Sequence, residues 1–136
     1  NVSRLWSRQN QEILESSKSA NRPFCLVAGG ETTVTLQAKG HGGRNQELAL
    51  AAARELAGLP NVMLVTLATD GEDGPTAAAG AVVTGETAQR ARALNLDPDA
   101  FLKRNDSYHF FAPLGDLLQP GPSGTNVNDL TFLFRF

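Results

Sequence analysis

A chain of 136 residues fits one domain with a real core, and its 41% hydrophobic and 19% charged content excludes a disordered polymer. A formal net charge of -2 at pH 7 argues against a general nucleic-acid binder but leaves room for a local basic pocket. The single Cys25 excludes an internal disulfide framework and suits a reducing, cytoplasmic setting, and no run reaches the roughly 18 apolar residues of a membrane span.

The opening stretch NVSRLWSRQNQE lacks Met and reads as the interior of a longer protein. Residues 6–18 are polar around Ile13 and Leu14, which predicts an exposed helix, and SANRP at 19–23 is a breaker-rich linker. Residues 1–23 are therefore expected to be a connecting helix and linker, and residues 24–136 the domain proper. FCLVAGG (24–30) reads as a buried strand ending in a glycine pair, with Cys25 packed in the core. TVTLQAK (33–39) alternates β-branched and apolar residues and predicts a second strand, paired as a hairpin.

From Asn45 to Leu59, apolar residues recur every three or four positions, the pattern of an amphipathic helix stopped by Gly58 and Pro60. NVMLVTLAT (61–69) predicts a central strand buried on both sides, DGEDGP (70–75) a turn, and AAAGAVV (77–83) a helical turn leading to a strand. Thr84 is placed to cap a helix running to Asn95, Asp97 with Pro98 starts another, and Asp106 a third. LTFLFRF closes the chain as a last strand. Strands and helices alternating in this way predict an α/β layered fold with a mixed, mostly parallel sheet flanked by helices.

Four loops carry polar residues at predicted element ends, where α/β folds bind ligands. In GHGGRNQE (40–47), Gly42 and Gly43 allow close backbone approach, the helix N-terminus favours an anion, and Arg44 offers a fork for phosphate or carboxylate. A flexible loop capped by Asn45 would look the same, and no dinucleotide or P-loop signature is present. In AGGETT (28–33), Glu31 and Thr32 follow two glycines, so the glutamate either pairs with Arg44, orients a hydroxyl, or sits in a solvated turn.

ATDGEDGPT (68–76) puts Asp70 and Asp73 after a strand, suited to magnesium or proton acceptance, or to bonding their own backbone. GPSGTNVND (121–129) supplies Thr125, Asn126, Asn128 and Asp129, suited to a phosphate or a sugar hydroxyl. In RNDSYHFF (104–111), His109 beside two phenylalanines reads as a partly buried structural histidine. One cysteine and two histidines exclude a Cys/His metal site, and no G-x-S-x-G elbow supports a serine hydrolase.

The ordered set GGETT, GGRNQE, TDGEDGPT-AAAG, NDSY-FF and GTNVNDL, spanning residues 25 to 134, resembles the MOFRL domain. That is the C-terminal domain of class II glycerate kinases (glycerate 2-kinases), whose relatives are often labelled putative hydroxypyruvate reductases. The resemblance implies a two-domain enzyme, with a larger N-terminal Rossmann-like domain and the active site in the cleft between.

It implies transfer of the ATP γ-phosphoryl group to D-glycerate, giving 2-phosphoglycerate, with Mg2+ and with ATP held mainly by the absent domain. The family's motif arginine falls on Arg44 and its motif glutamate on Glu31, with Asp70 as a further catalytic or metal-binding candidate. Gly42, Gly43, Asn45, Thr32, Asp73, Thr125, Asn126, Asn128 and Asp129 would line the substrate or phosphate site. Expected partners are D-glycerate and the missing domain, with no nucleic acid and no membrane, and a homodimer is left open. Two other readings stay open: a nicotinamide-dependent oxidoreductase acting on hydroxypyruvate, and a non-catalytic binding module of the same fold.

Overall fold

The computed structural model of the protein describes residues 22–30 and 38–136. Among these, five strands form one sheet: β1 (Phe24–Gly30), β2 (Val62–Ala68), β3 (Gly80–Thr84), β4 (Leu117–Leu118) and β5 (Asp129–Arg135). Helices α1 (Arg44–Glu55), α2 (Thr87–Ala93), α3 (Pro98–Arg104) and α4 (Ser107–Phe111) fill the connections, with a 3-10 turn at Ala112–Leu114. The expected helix at 6–18, and nearly all of the expected strand at 33–39, lie outside the described residues.

The sheet order is β1-β5-β2-β3-β4, and every neighbouring pair is antiparallel. This corrects the mostly parallel sheet expected from sequence. The β1-α1-β2 crossover does leave β1 and β2 running the same way, as alternation of strand and helix predicts. They never touch, because β5 returns from the far end of the chain and pairs with both. Between β2 and β3 there are too few residues for a helical crossover, so those strands turn back on each other.

Period-two burial decides the two faces of the sheet. Val62, Leu64, Ala81, Val83 and Leu133 point to the helices and join Ala49, Leu50, Ala53, Leu56, Ala91, Phe110 and Phe111 in one core. Each fully buried leucine or phenylalanine there contributes about 1.5–3 kcal/mol. In α1 the expected spacing holds: Leu48, Ala49, Leu50 and Ala53 are buried while Arg54 and Glu55 are exposed.

The opposite face is only partly covered. Met63, Val65 and Leu67 alternate with buried neighbours, so β2 is central in the sheet without being buried on both sides. Phe132, Phe134 and Phe136 stack along that face at 6.2 Å steps. Cys25 shares the face with Phe134 and is exposed, so its expected role as core packing is corrected. The thiol lies on the other side of the pleat from Leu26, which packs against the core.

Candidate functional site

At one end of the sheet, Gly30 at the end of β1, Asp129 at the start of β5 and Ala68 at the end of β2 lie in register. The turn after β2, the loop before β5 and the N-terminus of α1 meet at this end. Glu31 and Thr32 lie outside the described residues. The other ten residues expected at the site are all placed at this end.

Arg44 begins α1 and reaches Asp129 with both arms of its guanidinium: Nε donates to Oδ2 at 2.5 Å and Nη2 donates to Oδ1 at 2.9 Å. Asp129 is only 4% exposed, whereas 35% of the Arg44 side chain still faces solvent. A two-point pair fixes the plane of the guanidinium as well as its position. Glu31, which the sequence offers as one possible partner of Arg44, lies outside the described residues, and among those described Asp129 is the carboxylate on the guanidinium.

The amides at the mouth of α1 are occupied from within. Asp73 Oδ1 accepts from the Asn45 N–H at 3.1 Å, and Oδ2 accepts from the Gln46 N–H at 2.9 Å. The side-chain amides of Asn45 and Gln46 donate to the same carboxylate at 3.3 and 3.2 Å. Gln46 also donates to Thr76 Oγ1 at 2.8 Å, and Thr66 Oγ1 donates to the Asn45 carbonyl at 2.8 Å. Burial pushes the Asp73 carboxyl up from its ordinary range, against the pull of these hydrogen bonds.

The anion expected at this helix end is thus the protein's own carboxylate, borrowed from a turn 28 residues away. Gly43 takes the N-cap position with no side chain to cap, and Asn45 lies inside the helix. A Cβ on Gly43 would overlap the Asp73 carboxylate, and one on Gly42 would overlap Ser107 Oγ. Close packing of protein against protein explains both glycines.

The acidic turn and the Asn-rich loop are stitched together. Thr69 Oγ1 donates to the Asn128 carbonyl at 2.7 Å and accepts from the Val127 N–H at 2.8 Å. Ser123 Oγ donates to the Thr69 carbonyl at 2.5 Å, and Asn126 Nδ2 donates to Asp70 Oδ2 at 3.3 Å. Asp70 Oδ1 takes the N–H of Glu72 at 3.2 Å. Thr125, Asn126 and Asn128 are exposed beside the buried Asp129, and Asn128 holds a left-handed φ of 68°. Asp70, Asn126 and the Arg44–Asp129 pair therefore share one rim.

Two features were missed from sequence. Glu47, one turn into α1, has its carboxyl pushed up to about 7, first by burial and then by Asp73 and Asp106, while Asn105 hydrogen-bonds to it and pulls the other way. The second is Asp106, which does not cap α4 with its side chain. Its Oδ1 instead accepts from the His41 N–H at 3.0 Å and meets His109 Nδ1 at 2.6 Å. Burial pushes the Asp106 carboxyl up, but these two hydrogen bonds and the nearby charges of His109 and Arg104 hold it lower overall. His109 is 60% exposed, which corrects the partly buried histidine expected from its aromatic neighbours. Ser107, Phe110 and Phe111 are the residues of α4 that turn inward.

Among the described residues, no three His, Cys, Asp or Glu side chains are grouped to hold a metal ion. No helix among them is long and apolar enough to cross a membrane. A separate cleft lined by Arg54, Ala57, Arg92, Leu96 and Pro98 sits by the last turn of α1. Ten residues of helix place Arg54 about 15 Å from Arg44 along the axis, so that cleft is remote from the converging loops.

Comparison with known proteins agrees with the converging motifs. A D-glycerate 2-kinase of Thermotoga maritima is 49% identical over 120 residues, 88% of this chain and 29% of that protein. A human glycerate kinase is 50% identical over 133 residues, covering 93% of this chain and 25% of its own length. The crystal structure of glycerate kinase from Thermotoga maritima superposes with a TM-score of 0.89 at 46% identity, over 98% of this chain and 33% of that one. The chain thus spans about a quarter to a third of the length of these relatives. The MOFRL family model matches residues 24–129, most of the domain built around α1 and the antiparallel sheet. On that match, and on the order and placement of its loops, the chain belongs to the MOFRL family.

Proposed function

We propose that this domain supplies one wall of the active site of a glycerate 2-kinase, which passes the γ-phosphoryl group of ATP to D-glycerate and yields 2-phosphoglycerate. The observation that carries this reading is the Arg44–Asp129 fork where the loops at 40–47, 68–76 and 121–129 meet. Phosphoryl transfer asks a protein chiefly for positioning and for positive charge against oxygens that gain charge in the transition state. A guanidinium already held in plane by a buried carboxylate meets that need without reorganising during the reaction.

Arg44 would hold either the glycerate carboxylate or the moving phosphoryl group. The exposed amides and hydroxyl of Asn126, Asn128 and Thr125 would take the substrate's hydroxyls, with Gly42 and Gly43 as the packed floor beneath. Asp73 serves here as the structural anion that fixes the start of α1. By the family resemblance Glu31 would orient Arg44 or a substrate hydroxyl, and Thr32 would be a further lining residue.

The nucleotide would sit mainly on the larger N-terminal domain that the relatives' length supports. A magnesium ion, when carried by a nucleotide, needs as few as one or two protein carboxylates. Asp70 is the candidate on this chain, and its ordinary task is to hold Glu72 and Asn126 in place. The reaction suits a cytoplasmic protein, where ATP is available.

The test is a coupled assay on the full-length polypeptide that carries this domain. ATP-dependent formation of 2-phosphoglycerate from D-glycerate is the expected result. Oxidation of a nicotinamide cofactor by hydroxypyruvate, without phosphorylation, would replace the kinase with the reductase reading. Binding of glycerate with no turnover of either kind would favour a non-catalytic module.

A further inference from the structure

We infer that His109, held by Asp106, is the base that takes the proton from the attacking hydroxyl of the acceptor. This inference rests on the kinase reading above and adds a residue to it. Asp106 is ionised at neutral pH, so its oxygens only accept, and the short 2.6 Å contact requires the proton of the imidazole to reside on Nδ1. Nε2 is then left with its lone pair, on a side chain that is 60% exposed.

The dyad is tied by hydrogen bonds to the loop that leads into Arg44. Asp106 also binds the His41 N–H, and the His41 carbonyl accepts from the Tyr108 N–H at 2.9 Å. His41 and His109 lie with ring centroids 5.6 Å apart, and Tyr108 stands edge-on to His41 at 4.9 Å. Arg44 follows His41 by three residues, so their Cα atoms are at most about 11 Å apart. On this inference a small acceptor lies between Arg44 and the His41–His109 rim.

Among the described residues, the core does not need His109, and Asp106 fastens the His41 loop through one oxygen. The helix it begins is anchored by Phe110 and Phe111, both fully buried, and His109 contributes little to the core. A carboxylate that fixes the tautomer of an exposed imidazole is instead what a proton acceptor needs.

In the step proposed, the hydroxyl oxygen of D-glycerate forms the new bond to the γ-phosphorus while its O–H bond breaks. The proton passes to His109 Nε2, the bond from the γ-phosphorus to the bridging oxygen breaks, and that electron pair leaves on ADP. Asp106 stabilises the imidazolium until it returns the proton to water. Asp106 is a positioning residue in this scheme and His109 the catalytic one. The charged and titratable groups around the dyad are His41 and Tyr108 at the rim, Arg104 at 3.9 Å from Asp106, and Glu47 behind it.

The experiment measures steady-state kinetics of the full-length enzyme and its variants, with and without added imidazole. We expect H109A to lower kcat about a hundredfold, with KM for glycerate within about threefold, and added imidazole to restore part of the rate. D106N keeps the shape but removes the charged acceptor for Nδ1–H, and it should lower kcat about tenfold with KM for glycerate within about threefold. Thermal unfolding of each variant, unchanged for H109A, separates these effects from misfolding.

An H109A enzyme with wild-type kcat, or one that imidazole leaves unchanged at a lowered rate, overturns the inference while the kinase reading stands. A wild-type protein that does not phosphorylate glycerate overturns both.

Discussion

Arg44 and Asp129, 85 residues apart in sequence, meet through two parallel hydrogen bonds at the edge of the convergent loops. The pair joins the start of α1 to the start of β5, the strand that enters between β1 and β2. Its geometry thus reports whether the last strand has found its place in the sheet. Two substitutions separate charge from orientation. R44A in the full-length enzyme should lower kcat a hundredfold or more, as loss of one charge-stabilising donor does. D129N keeps the shape and removes the fixed plane, and a loss of roughly tenfold is expected. Steady-state kinetics check both, and equal effects of the two would show that orientation, not charge alone, matters.

Asp73 should matter more to folding than to chemistry. Removing its carboxylate in D73A leaves the first amides of α1 without acceptors in a buried setting, at a cost of about 2–3 kcal/mol. G43A forces a methyl group onto the same carboxylate and should cost about 1–3 kcal/mol. Urea unfolding of the 136-residue chain measures both, as a lower midpoint at an unchanged slope.

Glu47 gives the domain a pH dependence of known sign. Its folded carboxyl titrates near 7 against an ordinary value of 4.5, so the folded state binds more protons than the unfolded one between these values. Stability should therefore decline as pH rises from about 4.5 to 7. Asp73 adds to the trend in the same direction, while Asp106 opposes it only at the acid end, where its folded carboxyl finally takes a proton. E47Q should remove most of the decline and stabilise the domain by about 1 kcal/mol at pH 8, a figure reduced for partial solvent screening. Thermal melts from pH 4.5 to 8 check this, and a wild-type Tm that climbs over that range would contradict it.

The 136-residue chain by itself should have no glycerate kinase activity, because the proposed site is shared with a domain that binds the nucleotide. Incubation of the purified chain with D-glycerate and labelled ATP should give no labelled product. Labelled 2-phosphoglycerate would place the whole catalytic apparatus on this domain.

Cys25 should react in the folded state. It stands on the open side of the pleat, so a thiol reagent should label it without denaturant. Labelling that occurs only on unfolding would mean that the face is covered in solution.

Some of the architecture was open to reading from local pattern alone. The apolar spacing from Leu48 to Leu56 gave α1, and the Asp97–Pro98 pair gave the start of α3, where Asp97 Oδ1 accepts from the Asp99 N–H at 3.1 Å. The runs at 61–69 and 130–136 became β2 and β5. Each depends on side chains only a few residues apart. The order of GGRNQE, TDGEDGPT and GTNVNDL also pointed to the family, and the structure gathers their residues at one end of the sheet. The family match itself covers residues 24–129.

Amino-acid order alone therefore determined, among the described residues, the four helices, four of the five strands, the family and the set of polar loops, because periodicity, caps and turns act over one or two turns of chain. Tertiary structure alone decided that β5 pairs with both β1 and β2, that Asp73 fills the N-terminus of α1, and that Asp129 takes Arg44. It also decided that Cys25 and His109 face outward. The physical reason is shared: these outcomes are pairings over 28 to 85 residues or more, and a hydrogen bond or a buried face carries no mark, in the local sequence, of the partner that will complete it.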